Sequence, residues 1–280
     1  MISVIIPTYN RHKTIAASVN SVLNQTYRDI EVLVIDDGST DDTAEIIQGI
    51  TDPRLIYYCS VHVGACGARN LGITYARGEY IAFQDSDDIW HADKLEKQLN
   101  QLTVSNGDIV FCKLCFMSGG SVQKMLPQKL KTGVLKETDS LFHIGTQTIL
   151  AKREVFEHDF FNEKLPRFQD LELLYRLSSN YKICCLDEGL VDYVIQEDSI
   201  SSQNGKLLSA CEQIRVIHPQ LRRRNPQLAK DLSWILYVTS AQERGTKDYR
   251  SYLKLSHYYC HSVKYCVIRG MSLLGWNYGI

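Results

Sequence analysis

Four short apolar runs, at residues 2–6, 30–35, 55–58 and 80–83, alternate with segments whose apolar residues recur at helical spacing. Ile15, Val19, Val22 and Leu23 carry that spacing after the first run, and Ile46 and Ile47 lie in a helix after the second, with Thr40 or Asp41 as its cap. Residues 64–76 read as a third helix, closed by Gly78 as a left-handed cap. Repeated strand–helix–strand units predict a mainly parallel sheet with right-handed crossovers, because parallel neighbours need a long connection that a helix fills. Three of the runs end in polar clusters: Thr8-Tyr9-Asn10-Arg11, Asp36-Asp37-Gly38-Ser39 and Asp85-Ser86-Asp87-Asp88. The carboxyl ends of parallel strands share one edge, and ligands bind there. Three clusters at one edge make one site.

The last cluster says most about chemistry. Asp85, Asp87 and Asp88 crowd directly behind a buried strand, where their charges repel. A hard divalent cation between them relieves the repulsion, and a cation held by one or two carboxylates keeps positions open for phosphate oxygens. The plain alternative is a solvated turn whose aspartates cap the next helix.

Composition narrows the class. With 280 residues, 44% of them hydrophobic, the chain can hold one large domain or a domain with an appendage. A formal net charge of -1 supplies no field for nucleic acid, so no nucleic-acid partner is expected. Nine cysteines are scattered, as expected in a reducing compartment. The single C-x-x-C, Cys112 to Cys115, sits in the apolar stretch 109–117 and reads as a buried strand rather than a zinc site. The N-terminus lacks the basic lead and length of a signal peptide, and no apolar run approaches the ~20 residues of a membrane span. The expectation is a soluble, cytoplasmic protein.

Further strands are expected at 108–116, followed by a Gly119-Gly120 turn, and at 147–151, 182–186 and 190–195. A helix opens at Asp170 and carries Leu173, Leu174 and Leu177, and the pattern is helical beyond about Gln203.

The order and spacing of Ser3-Val-Ile-Ile-Pro-Thr-Tyr-Asn-Arg11, Ser21-Val-Leu-Asn-Gln-Thr-Tyr27, Val34-Ile-Asp-Asp-Gly-Ser-Thr-Asp41, Ala68-Arg-Asn-Leu-Gly-Ile73, Gly78-Glu-Tyr-Ile81 and Asp85-Ser-Asp-Asp88 resemble those of the family 2 glycosyltransferases. The resemblance implies the Rossmann-like α/β GT-A fold over residues 1–203, with a donor half at 1–100 and an acceptor half at 101–203, and a helical C-terminal extension at 204–280. It implies an inverting transfer from a nucleotide-sugar donor, a UDP-sugar, to an acceptor hydroxyl with the help of Mn²⁺ or Mg²⁺. It also implies a saccharide or lipid-linked saccharide acceptor in bacterial surface polysaccharide or glycolipid synthesis.

Carried over residue by residue, Tyr9 and the adjacent backbone at Pro7 stack on and hold the base. Asp37 accepts the uracil N3–H, and Arg69 lies near base and diphosphate. Asp85 faces the ribose or donor sugar, Ser86 joins the donor-binding residues, Asp87 binds the metal, and Asp170 is the base, with Glu172 as fallback. The chain departs from the family pattern at Gln169, where Glu is usual, at Gln196, where a histidine is common, and at His62, where asparagine is frequent. These departures keep open a nucleotide-sugar-binding protein of the same fold that has lost turnover. Two other classes fit less well. A sugar-phosphate nucleotidyltransferase needs a Gly-rich loop where Pro7-Thr8-Tyr9-Asn10 stands, and an aspartyl phosphatase needs Gly-Thr where Asp88-Ile89-Trp90 stands. In the tail, Arg222-Arg223-Arg224 and the aromatic, basic stretch 249–276 have the composition of an interfacial helix, so peripheral membrane contact is expected alongside plain helix packing. Donor sugar, linkage and oligomeric state are not readable from these residues.

Overall fold

In a computed structural model, residues 1–128, 130–136, 139–194 and 204–260 are described. The Gln196 segment and the part of the tail beyond Cys260 lie outside them. The first part of the chain runs β1 (Ile2–Thr8), α1 (Ile15–Leu23), β2 (Ile30–Asp36), α2 (Thr43–Gln48), β3 (Leu55–Cys59), α3 (Gly64–Tyr75) and β4 (Tyr80–Phe83). There follow β5 (Ile89–Trp90), α4 (Lys94–Ser105), β6 (Ile109–Ser118), β7 (Ser121–Leu126), β8 (Gly133–Val134), β9 (Ile149–Lys152), α5 (Gln169–Leu177) and β10 (Ile183–Val194). The chain then turns helical: α6 (Asn204–Ile217), α7 (Leu221–Arg224), α8 (Pro226–Gln242) and α9 (Tyr249–Tyr259).

The strands form one sheet in the order β3-β2-β1-β4-β9-β6-β10-β5, with β7 paired to β6 and β8 to β10. Every residue of β1 and β2 is buried, which is why both read as largely apolar runs: helices cover the two faces of a parallel sheet. The first four strands are parallel. Successive strands step outward from β1 to β3, then the chain crosses back to lay β4 on the other side of β1. That reversal puts a crevice outside the carboxyl ends of β1 and β4. Beyond β4 the sheet is mixed, since β9 runs antiparallel to both β4 and β6.

Two buried polar side chains act as fasteners. Gln25 is fully buried at the end of α1; its amide donates to Ser21 O (3.1 Å) and His91 O (2.7 Å), and its Oε1 accepts from Leu95 N–H at the start of α4 (3.0 Å). Glu31, buried in β2, accepts from Ser3 Oγ (2.5 Å) and from Arg77 N–H (2.7 Å) and pairs with the Arg77 guanidinium (2.9 Å). Burial alone would raise the Glu31 carboxyl, but these donors hold it below its usual value.

Several expectations are corrected. α3 ends at Tyr75 with an extended Ala76, and Gly78 does not adopt a left-handed backbone. Gly78 is needed for close approach: a Cβ there would stand 2.6 Å from Ser3 N. The strands expected at 182–186 and 190–195 are one strand, β10, with register shifts around Gly189 that break its apolar pattern in two. The expected strand 147–151 begins only at Ile149, after a 3-10 turn at Thr146–Thr148.

The chain divides into two compact units. One holds Met1–Leu135, His143–Lys164 and the segment from Gln169 through β10; the other holds Lys136–Phe142, Leu165–Phe168 and the helices from α6 onward. Within the second unit α8 and α9 pack together, Tyr252 and Tyr259 are buried, and the Tyr259 hydroxyl donates to Cys211 O (2.6 Å). Tyr252 and Tyr259 therefore contribute to its core, while Trp234 is exposed and Arg215 and Arg222 each lie 5.3 Å from the centre of the Tyr258 ring. No helix among the described residues is long and apolar enough to cross a membrane.

Candidate active site

The loops after β1 and β2 are laced together. Asn10 takes a left-handed backbone (φ 51°); its N–H donates to Ser39 Oγ (2.9 Å) and its side-chain oxygen accepts from Thr40 N–H (2.8 Å). Asp36 and Asp37, adjacent in sequence, do different things. Asp36 is buried and accepts from Ser39 N–H (2.8 Å) and the Tyr57 hydroxyl (2.8 Å), closing the turn that Gly38 (φ 81°) makes possible.

Asp37 faces the other way, to the start of α3. Its two oxygens accept from Val63 N–H (2.6 Å) and Gly64 N–H (2.9 Å), and His62 Nδ1 lies 2.8 Å from Oδ2. The carboxylate thus satisfies amides at the helix N-terminus and keeps lone pairs for a further donor. Tyr9, 42% exposed, stands with its ring centroid 4.5 Å from that of His62. The two rings and Asp37 form one wall. Pro7 lies inside β1, buried and in register with Ile35, so it offers the crevice its backbone only.

The turn after β4 spreads its charges. The three carboxylates diverge to separate partners. Asp85 Oδ1 accepts from Arg69 Nη2 (2.7 Å), Asp87 Oδ2 lies 3.7 Å from Arg11 Nε, and Asp88, fully buried, accepts from Gln147 Nε2 (2.8 Å). Asp88 is also held through its backbone, its carbonyl accepting from Gln84 Nε2 (2.7 Å). Ser86 is buried between its acidic neighbours. Ser18 Oγ donates to Asp85 O (2.9 Å), tying the turn to α1. Arg11 and Gln147 are contributors that the sequence reading does not single out as site residues. Arg11 adjoins a motif already quoted; nothing near Gln147 in sequence marks it.

Arg69 projects from α3, and Gly72 one turn on lets that helix sit close to β1, since a Cβ there would collide with the Ile5 side chain. The guanidinium lies 5.6 Å from the Phe161 ring, and Arg69 is held strongly charged by Asp85 despite a burial that opposes charge. Asn70 beside it clamps the 161–163 segment by bonds to Phe161 and Glu163.

Asp170 begins α5. Burial pushes its carboxyl above the ordinary aspartate value; Leu171 N–H (2.8 Å to Oδ1) and the Arg69 charge pull it down, and the Asp85 charge pushes it up again. Asp170, Arg69 and Asp85 are therefore electrostatic neighbours. Glu172 is turned to Arg176, whose Nε donates to it (2.9 Å) while Nη1 and Nη2 reach Asp159 (2.5 Å) and Phe160 O (2.6 Å). Gln169 opens the same helix.

Buried polar atoms normally have partners, and those that lack them point to something missing. Among the described residues, Thr8 Oγ1 at the end of β1, Gln84 Oε1 just past β4 and Arg69 Nε are buried without a hydrogen-bond partner.

A mixed sheet with its polar loops gathered at the carboxyl ends of β1, β2 and β4 is the architecture of a GT-A transferase. The family model for glycosyl transferase family 2 matches residues 3–160, and the chain belongs to that family and is a glycosyltransferase. It is 33% identical over 213 residues to the Escherichia coli UDP-Glc:alpha-D-GlcNAc-diphosphoundecaprenol beta-1,3-glucosyltransferase WfgD, covering 74% of this chain and 82% of that one. Among solved structures, Staphylococcus aureus TarS (residues 1–349) in complex with UDP-GlcNAc superposes with a TM-score of 0.75 at 21% identity, over 92% of this chain and 80% of that one. The mannosyltransferase PcManGT of Pyrobaculum calidifontis, in complex with GDP-Man and Mn2+, gives 0.62 at 18% identity over 97% and 87%. These likenesses support the GT-A fold with its helical C-terminal portion.

Proposed function

We propose that this glycosyltransferase transfers a sugar from a UDP-sugar to a hydroxyl of a saccharide or lipid-linked saccharide, with inversion, in the assembly of a bacterial surface polysaccharide or glycolipid. The observation that carries the reading is the gathering of an aromatic wall, a buried carboxylate and an arginine-lined acid turn at the carboxyl ends of β1, β2 and β4. The partnerless Thr8, Gln84 and Arg69 atoms at that edge fit a polar ligand. UDP-glucose is the first donor to try, and a diphosphoundecaprenol-linked sugar the first acceptor, because the Escherichia coli relative is named for them.

In this reading Tyr9 and His62 flank the base, Pro7 lends its backbone, and Asp37 accepts the base N–H with its remaining lone pairs. Arg69 and Arg11 face the diphosphate charge. Asp85 and Ser86 meet the ribose or donor sugar. The donor set fits a hard cation: Asp88 accepts from Gln147 and Asp85 from Arg69, and Asp87, 3.7 Å from Arg11, is the carboxylate that would hold Mn²⁺ or Mg²⁺. Such a cation supplies Lewis-acid neutralisation of the departing diphosphate.

Asp170 takes the proton of the acceptor hydroxyl on its carboxylate. The hydroxyl oxygen bonds to the anomeric carbon as the bond from that carbon to the diphosphate breaks and its electron pair leaves with the diphosphate. The raised basicity that burial gives Asp170 suits this role. Residues 1–100 form the donor half, 101–203 the acceptor half and 204–280 a helical extension, and the enzyme works at the inner face of the membrane when its acceptor is lipid-linked.

Calorimetric titration of UDP, with Mn²⁺ and then with EDTA, tests the donor site in wild type and Asp87→Ala. Binding that needs both the metal and Asp87 is expected, followed by UDP release from a UDP-sugar on adding acceptor. Binding unaffected by EDTA and by Asp87→Ala refutes the metal assignment, and UDP binding without UDP release from any donor favours a protein that binds but no longer transfers.

A further inference from the structure

Three neighbouring strands bring a thiol, a carboxylate and an imidazole together. Cys115 on β6 is in register with Asp192 on β10, which is in register with Ile89 on β5. Paired residues of adjacent strands share a face, and so do residues two apart along one strand. His91, two beyond Ile89, therefore joins the same face, its N–H extending the pairing to Leu190 O (3.0 Å). His91 Nε2 lies 2.9 Å from Asp192 Oδ1, and one ligand atom from each of the three side chains lies within 4.8 Å of the others. We infer that His91, Cys115 and Asp192 form a zinc site that pins β5 to β10 and β6, with water in the fourth position.

The donor set is chemically selective. A nitrogen, a sulfur and a carboxylate oxygen suit Zn²⁺, whereas Mg²⁺ and Mn²⁺ prefer the oxygens of the acid turn. Ligand atoms around tetrahedral zinc stand roughly 3.3–3.7 Å apart. The His91–Asp192 contact needs to open slightly and the sulfur to close by about an ångström, movements within reach of side-chain rotation. The backbone is already fixed: His91 O accepts from Gln25 Nε2 (2.7 Å) on one side while its N–H is bonded on the other. Gly189 keeps the space open, since a Cβ there would collide with Cys115 Sγ and stand 2.7 Å from Met125 Sδ. His91 and Asp192 are partly exposed and give the ion and a water access, while Cys115 is buried.

Burial, reinforced by the Asp192 charge, keeps the metal-free Cys115 thiol protonated. Zinc takes the place of that proton and neutralises both anions, so binding releases it. Cys112 plays no part: three residues from Cys115 on a strand, it points to the opposite face, which is why the C-x-x-C spacing does not chelate here. The structural consequence concerns β5, a two-residue strand that directly follows the acid turn and has only two register pairs with β10.

The test is a titration of the chelator-stripped full chain with Co²⁺ alone, followed by Zn²⁺. One equivalent of Co²⁺ giving a thiolate-to-metal charge-transfer band, displaced by Zn²⁺ with release of about one proton, is expected. Asp87→Ala keeps the band, which separates this site from the donor turn. Cys115→Ser abolishes it, and His91→Ala weakens binding beyond the roughly 10–100-fold that loss of an outer-shell partner costs. Should Cys115→Ser not fold, the partly exposed His91→Ala decides the matter. Absence of the band in wild type, its survival in Cys115→Ser, its loss in Asp87→Ala, or unchanged affinity in His91→Ala overturns the inference.

Discussion

Replacing Lys94 with methionine should flatten the alkaline part of the stability profile. The Lys94 side chain is fully buried at the start of α4, its Nζ donating to Gln98 Oε1 (2.7 Å) and lying 3.7 Å from the centre of the Trp90 ring. Burial lowers its pKa from the ordinary lysine value of 10.5 to about 8. At 1.36 kcal/mol per pH unit, holding the ammonium inside costs about 3 kcal/mol at neutral pH relative to the unfolded chain. The Trp90 ring face favours the charged form and offsets part of that, by about 1–2 kcal/mol. The sign follows from proton counting. Between pH 8 and 10.5 the unfolded chain binds more protons at this position than the folded one, so stability rises with pH across that window. Urea unfolding of wild type and Lys94→Met at pH 7, 8, 9 and 10 isolates the effect, because other titrating groups are common to both. The wild type should gain about 1–3 kcal/mol relative to the variant between pH 7 and 10. At pH 7 the two should lie close together, since the variant loses the Gln98 bond as well as the buried charge. Parallel profiles for the two proteins would refute the reasoning and mean that Lys94 is ionised inside the fold at little cost.

Two other expectations bear on the site. If Asp170 is the base, activity falls on the acid side as its carboxyl protonates; Asp85→Asn removes a like charge and moves that limb to lower pH, while Arg69→Met removes the opposing charge and moves it to higher pH, both read from kcat/KM against pH. Shifts in the same direction for the two variants count against Asp170. Gly72→Val forces α3 away from Ile5 and should destabilise the fold by about 1–3 kcal/mol while weakening UDP binding through displacement of Arg69; unchanged denaturant midpoint and affinity would show that the close approach of α3 is dispensable.

The first hundred residues are legible because β1, β2 and most of β4 are short, apolar and buried, and their polar ends fall on one edge by topology alone. The mixed half is less so. β5 is two residues long and β7 is exposed, so neither has an apolar signature. The reading passes over α4, although Leu95, Leu99 and Leu102 recur at helical spacing. The acid turn shows the limit most clearly. Three carboxylates in a row are visible in the sequence, but their electrostatic settlement depends on Arg69, Arg11 and Gln147, the last of them 59 residues from Asp88. Likewise, Cys115 looks like an ordinary strand cysteine until register sets it beside Asp192 and His91. His62 stands out by its departure from the family pattern; its contacts with Tyr9 and Asp37 come from folding.

The Asp88–Gln147 bond constrains how this enzyme can be recombined. Asp88 belongs to the turn after β4, and Gln147 to the segment leading into β9; Trp90 Nε1 also donates to Gln147 O (3.2 Å). A chimaera joined near residue 100 would import a stranger opposite Asp88. Unless that stranger supplies an amide at the same place, a carboxylate with no access to water loses a donor that it cannot recover from solvent. Shuffling of the segments on either side of that junction among relatives is thus restricted to pairs that agree at both positions.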